Sequence, residues 1–153
     1  MAGQVYMAKV MLERRQVRAL IDAGLSFARE QALPPLTMVV LDAGGNVVVA
    51  EREDGCSALR YAVALGKANA ALGMGISSGT IGARNAERPA FLASVAAAAE
   101  GCFVPVAGGV LVLDSDDCVI GAVGVSGASS DEDQQVASHG IESLRWKVGL
   151  APD

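Results

Sequence analysis

The chain has 153 residues, 52% of them hydrophobic and 19% charged, with a net charge of −5. That length suits one domain over residues 1–153, apolar enough to fold around a core without disulfides or metals and too apolar to be disordered. With aromatics at only 4% and an acidic balance, there is neither a basic patch for phosphates nor a set of stacking platforms, so nucleic acid is excluded as a partner.

The start, MAGQVYMAKV, lacks the cationic-then-apolar pattern of a secretory signal. Val17, Leu20, Ile21, Gly24, Leu25 and Ala28 recur at helical spacing while Arg14, Arg15, Arg18, Asp22 and Arg29 mostly point elsewhere, which predicts an amphipathic first helix. Pro34-Pro35 stops it. Leu36 to Leu41 reads as a buried strand and Val47 to Arg52 as its antiparallel partner, across an Asp42-Ala43-Gly44-Gly45-Asn46 turn. Ser57 is placed to cap a second helix running to about Leu72, and Gly73 to Asn85, rich in glycine, reads as an irregular, mobile loop. Pro89 fits the first turn of a third helix that ends at Glu100-Gly101.

Val110 to Leu113 and Cys118 to Val125 form a second hairpin around Asp114-Ser115-Asp116-Asp117, and a short strand near Phe103 to Val106 is available as a fifth member. The final helix is expected from Ser130 to about Val148, with Ser130 as N-cap and Asp133 completing a capping box. Hairpins in place of strict strand-helix alternation predict an α+β sandwich with an antiparallel sheet rather than a Rossmann fold. The longest apolar stretch, Cys102 to Leu113, is too short to span a bilayer, so no membrane partner is expected. Cys56, Cys102 and Cys118, odd in number and dispersed, suit a reducing cytoplasm.

Gly121, Gly124 and Gly127 are spaced G-x-x-G-x-x-G, not as a dinucleotide loop, and Asp131, Glu132 and Asp133 in the following first turn repel anions. Gly124-Val125-Ser126-Gly127-Ala128 also misses the nucleophile-elbow pattern. No metal-binding cluster emerges, because the chain has one histidine and its carboxylates sit in turns and caps.

In order along the chain stand Val39-Val40-Leu41-Asp42-Ala43-Gly44-Gly45-Asn46-Val47 with Arg52-Glu53-Asp54-Gly55, then Ala64-Leu65-Gly66-Lys67-Ala68, then Pro105-Val106-Ala107-Gly108-Gly109-Val110. Gly121-Ala122-Val123-Gly124-Val125-Ser126-Gly127 and Asp131-Glu132-Asp133 complete the series. With these segments the chain resembles the GlcG/HbpS-like family, the haem-degrading or haem-binding domain family. The resemblance implies a profilin-like three-layer sandwich, a central antiparallel sheet of about five strands between helices, and assembly into a homo-oligomer. It also implies a small-molecule ligand, haem or a related tetrapyrrole, held non-covalently since C-x-x-C-H is absent. Two departures stand out. Lys67-Ala68-Asn69-Ala70-Ala71 lacks the family's usual threonine, and Gly108-Gly109-Val110-Leu111 has leucine in place of proline.

His139, the only histidine, is a candidate haem-iron ligand or general base, although an ordinary surface histidine would look the same in sequence. Lys67 interrupts an apolar helix stretch, and Arg52 offers a planar fork for a carboxylate; Asp42, Glu53 and Asp54 are near enough in sequence to neutralise either. Two functional classes remain open. In a binding module, His139 and Lys67 with Gly108, Gly109, Ser126 and Gly127 would hold the cofactor. In a small isomerase or lyase acting on a carboxylated metabolite, Lys67 and Arg52 would orient the substrate and His139 or Asp54 would move a proton. Either site is expected between the Lys67 helix, the Gly108-Gly109 turn and the Gly124 to Ser129 loop, with Lys67 facing an open pocket.

Overall fold

The computed structural model describes residues 3–153. Helix α1 (Arg14–Glu30) leads into strands β1 (Thr37–Asp42) and β2 (Val47–Arg52), followed by helices α2 (Arg60–Met74), α3 (Ser78–Arg84) and α4 (Pro89–Ala98). Strands β3 (Gly109–Leu113) and β4 (Val119–Ser126), helix α5 (Ser130–Ser143) and strand β5 (Lys147–Gly149) complete the order. The strands form one sheet, β2-β1-β4-β3-β5, in which every neighbouring pair is antiparallel. Both hairpins therefore lie in the same sheet, joined by the β1–β4 pairing, and the fold is α+β.

Alternation along the strands divides the side chains between two helical layers. Met38, Val40, Val110, Val112, Val123 and Val125 pack with Val17, Leu20 and Ile21 of α1 and Val136, Ala137 and Ile141 of α5. Val39, Leu41, Leu111 and Ala122 face Ala64, Ala68 and Ala71 of α2. Pairing skips Val48 in β2 and Ile120 in β4, and these extra residues turn into the α1/α5 side. Outside α2, a smaller cluster of Ala70, Ile81 and Phe103 collects Leu92, Val95 and Ala96 of α4.

Several local expectations are corrected. Gly73 to Asn85 is not a loop throughout: Ser77 accepts a hydrogen bond from the Thr80 amide at 3.2 Å and caps α3, which is pinned by buried Ile81. The second helix begins at Arg60 after Leu59, without a side-chain cap, so Ser57 lies outside it. Residues 103–106 do not join the sheet. Pro105 has no amide to donate there, and the Val104 amide instead donates to the Gly66 carbonyl of α2. The fifth strand is Lys147–Gly149, paired with β3. It cuts the last helix short at Ser143, with Arg145 turned into the left-handed region at φ 63°. That helix is capped by Ser129, not Ser130, and Glu132 completes the reciprocal capping box.

Candidate functional site

Lys67 lies in the middle of α2, only 3% exposed, and its Nζ reaches past the end of the sheet to Asp133 in the first turn of α5. It donates to Asp133 Oδ2 at 2.9 Å and to the Val125 carbonyl at 3.0 Å. Asp133, itself 1% exposed, accepts the Ala128 amide on its other oxygen at 3.0 Å. Burial pushes the Asp133 carboxyl above its ordinary value, against the pull of Lys67, the Ala128 amide and Arg60. With both oxygens occupied, the pair ties α2, the end of β4 and the start of α5 together.

The backbone explains why the lysine is enclosed. A Cβ on Gly109 would collide with the Lys67 carbonyl, and one on Gly124 with the Ala64 carbonyl, so these glycines let α2 lie directly on the sheet. Gly108, at φ 128°, passes so near that its Cβ would stand 2.8 Å from Lys67 Nζ. Lys67, Gly108, Gly109, the end of β4 and the loop after it do converge, as the sequence predicts. The lysine fills the space between them and does not face an open pocket.

Beside this enclosed centre runs a polar row. Thr37 pairs with Arg52 on one side and Ser126 on the other, putting all three on the α2 face at the last register of the sheet. Arg60, at the start of α2, donates to Ser126 Oγ at 3.3 Å, and Arg52 donates to the Cys56 carbonyl at 2.8 Å. Thr37 Oγ1 and Cys56 Sγ are 3.3 Å apart. Thr37, Ala50, Glu51, Arg52, Ala58 and Tyr61 line a cleft of about 380 Å³. On the other side of Arg52, Asp54 lines a cleft of about 480 Å³ with Leu25, Arg29, Pro35, Glu51 and Glu53.

His139 stands elsewhere, exposed on the outer surface of α5. Its ring stacks on half-buried Phe27 of α1, centroids 4.4 Å apart and planes 13° from parallel. Among the described residues, neither imidazole nitrogen makes a hydrogen bond. The ring lines a cleft of about 220 Å³ with Gln134, Gln135, Ser138 and Glu142. Arg52 and Asp54 share the cleft of about 480 Å³, whereas Lys67 lies in the buried hub and His139 in a cleft of its own, so no single cleft holds all four. Sequence reasoning missed Thr37, Arg60 and Tyr61. Thr37 lies within the Leu36 to Leu41 strand, where period-2 alternation puts it on the face of Val39 and Leu41; Arg60 and Tyr61 carry no signal without the packing of α2.

Residues 12–142 match the family described as haem degrading protein HbpS-like. Among solved structures, the chain is similar to the PduOC:heme complex, with a TM-score of 0.80 and 23% identity over 90% of this chain and 98% of that one. It is also similar to the Klebsiella pneumoniae protein ORFY, with a TM-score of 0.79 and 22% identity over 94% of this chain and 97% of that one. The match to HbpS has a TM-score of 0.75 and 23% identity over 94% of this chain and 96% of that one. No curated protein sequence matches the chain.

Proposed function

The chain belongs to the HbpS-like family, and on that premise we propose that it is a small-molecule-binding domain whose ligand is haem or a related tetrapyrrole, held through His139. The observation that carries the reading is the state of that imidazole: exposed, fixed flat against Phe27, and with both nitrogens free of protein partners among the described residues. An imidazole held by stacking is ready to coordinate iron without reorganising. The donor therefore fits haem.

The enclosure is only partial. At about 220 Å³ the His139 cleft is smaller than the roughly 300–1,000 Å³ of pockets that surround a drug-sized ligand. Gln134, Gln135 and Ser138 would line the polar rim beside the ligand, and Phe27 would support the imidazole from behind. Bound haem would supply the chemistry of its iron, and His139 would supply one nitrogen donor to it from an open surface. Binding is accordingly weak and reversible.

Self-association is part of the same reading. Val5, Tyr6, Met7, Val10 and Met11 are all more than half exposed in the segment ahead of α1, and α4 has no buried residue despite its apolar sequence. Apolar surface on this scale suits coverage by further copies of the chain. Light scattering at micromolar concentration should give a multiple of 15.5 kDa, and a monomer would remove this part of the proposal. The three free thiols suit a reducing cytoplasm.

Hemin titration followed by absorbance tests the ligand. A saturable Soret shift is expected, and it should be lost in His139→Ala and kept in Cys118→Ser, which removes the exposed thiol. No saturation in the parent protein, or an unchanged shift in His139→Ala, would overturn the assignment.

A further inference from the structure

We infer a second ligand site, for a small organic dicarboxylate, at the end of the sheet where Arg52 and Arg60 flank Thr37. It is distinct from the His139 cleft and does not rest on the haem reading.

The argument begins with register. Arg52, Thr37 and Ser126 are direct partners on three neighbouring strands, β2, β1 and β4, and share the α2 face. Adjacent strands are about 4.8 Å apart, so Arg52 and Ser126 are separated by roughly 10 Å with the Thr37 hydroxyl between them. Arg60 brings a second guanidinium to the Ser126 end, at 3.3 Å from Oγ. Two cations thus stand on either side of Thr37, an arrangement that suits an anion charged at both ends.

Both guanidiniums are held in place but not neutralised. Arg52 is fixed by the Cys56 carbonyl at 2.8 Å and Arg60 by the Ser126 hydroxyl; neither forms an ion pair among the described residues. Two of the nearby carboxylates are engaged elsewhere. Glu53 accepts from Arg29 at 3.1 Å and from the Leu36 amide at 2.8 Å, and Asp133 is closed off by Lys67. Glu51 lines the same cleft as Arg52 but forms no ion pair with either arginine among the described residues, and Asp54 lines the cleft on the other side of Arg52. Each arginine keeps donors to spare after its single fixing bond, and a fixed fork loses little freedom when it meets a carboxylate.

The space is suitable. The cleft of about 380 Å³ on Arg52 and Thr37 is walled by Ala50, Ala58 and Tyr61, the last 42% exposed, with Glu51 at its edge. A short carbon chain would lie against the Tyr61 ring, with its two carboxylates accepting from Arg52 and Arg60. The lysine that could compete for the same anion is enclosed and paired.

Succinate is the probe, titrated into the ¹⁵N-labelled full chain, with sodium chloride at matched ionic strength and acetate as controls. The amide signals of Thr37, Tyr61 and Ser126 should shift and saturate with succinate, and acetate should bind about tenfold more weakly because it meets one arginine only. Arg52→Gln should weaken succinate by about tenfold, and Arg52→Gln/Arg60→Gln by about a hundredfold, with hemin titration unchanged in both. If Arg60→Gln loses native signal dispersion with its Ser126 bond, Arg52→Gln carries the test alone, since that side chain is exposed. Shifts that chloride reproduces, that fail to saturate, that centre elsewhere, or that persist at parental affinity in folded Arg52→Gln would each overturn the site.

Discussion

On one face of the sheet, Leu20, Ile21, Met38, Val40, Val123 and Ile141 fill the space beneath α1 and α5 with bulky aliphatic side chains. On the other, Ala64, Ala68 and Ala71 of α2 rest on Gly109, Ala122 and Gly124, so nearly in contact that one added methyl group would strike the backbone of α2. Both faces are dry, but they exclude water by different means. The first does so with volume and so tolerates a lost atom poorly; the second does so with proximity and so tolerates an added atom poorly. The second also buries a lysine. A helix pressed this close leaves its one lysine no route to solvent, and Asp133 is the counter-charge that makes the burial tolerable.

The contrast can be broken most forcefully at that pair. Lys67→Met leaves Asp133 buried and unpaired and should lower unfolding free energy by about 3–5 kcal/mol in denaturant titrations. Lys67→Met/Asp133→Leu removes both charges and should regain at least about half of that loss, because the desolvation penalty goes with them. Equal losses in the single and double variants would mean that the pair contributes packing and not charge balance.

On the bulky face, Leu20→Ala should cost about 2–5 kcal/mol through the cavity it opens. On the close face, Gly124→Ala adds a single methyl group, yet should cost about 1–3 kcal/mol, since the Ala64 carbonyl and the Ala68 side chain stand in its way. A neutral or stabilising Gly124→Ala, measured by thermal unfolding, would show that α2 can lift from the sheet.

The smallest effect is expected at the α5 terminus, where the two faces meet. Ser129→Ala removes one half of the capping box and should cost about 1 kcal/mol. Hydrogen bonds from the Ser129 backbone and side chain hold the Glu132 carboxyl below its ordinary value. Its contribution is therefore present above the ordinary glutamate range and lost as pH falls through the depressed value. Stability measured against pH should show that acid loss in the parent chain and less of it in Ser129→Ala.

Much of this architecture is legible in the sequence. The helical spacing of Val17, Leu20, Ile21 and Gly24 marks the buried stripe of α1, and the two hairpins announce themselves by apolar runs on either side of Asp-rich or Gly-rich turns. The short elements are not legible. Helix α3 holds a single fully buried large side chain, Ile81, and β5 is three residues whose pairing with Leu111, Val112 and Leu113 is entirely long-range. Cap positions slip by one residue where several serines compete, as at Ser129 and Ser130. For the site, the sequence marks Lys67 as unusual but not as enclosed, because enclosure depends on how near α2 lies to Gly108, Gly109 and Gly124 across long sequence separations. His139 is visible as a lone imidazole, while its stacking on Phe27 depends on the packing of α1 against α5.

Haem binding through the outer surface of α5, away from the Lys67 hub, is the claim most directly open to measurement. Ferric haem is paramagnetic and broadens amide signals close to the iron, so adding hemin to the ¹⁵N-labelled chain maps the site without any substitution. The expected result is loss of signal centred on Phe27, Gln135, Ser138 and His139, with Thr37, Lys67 and Ser126 retained. Broadening centred on Lys67 and Ser126, or none at saturating hemin, would contradict it.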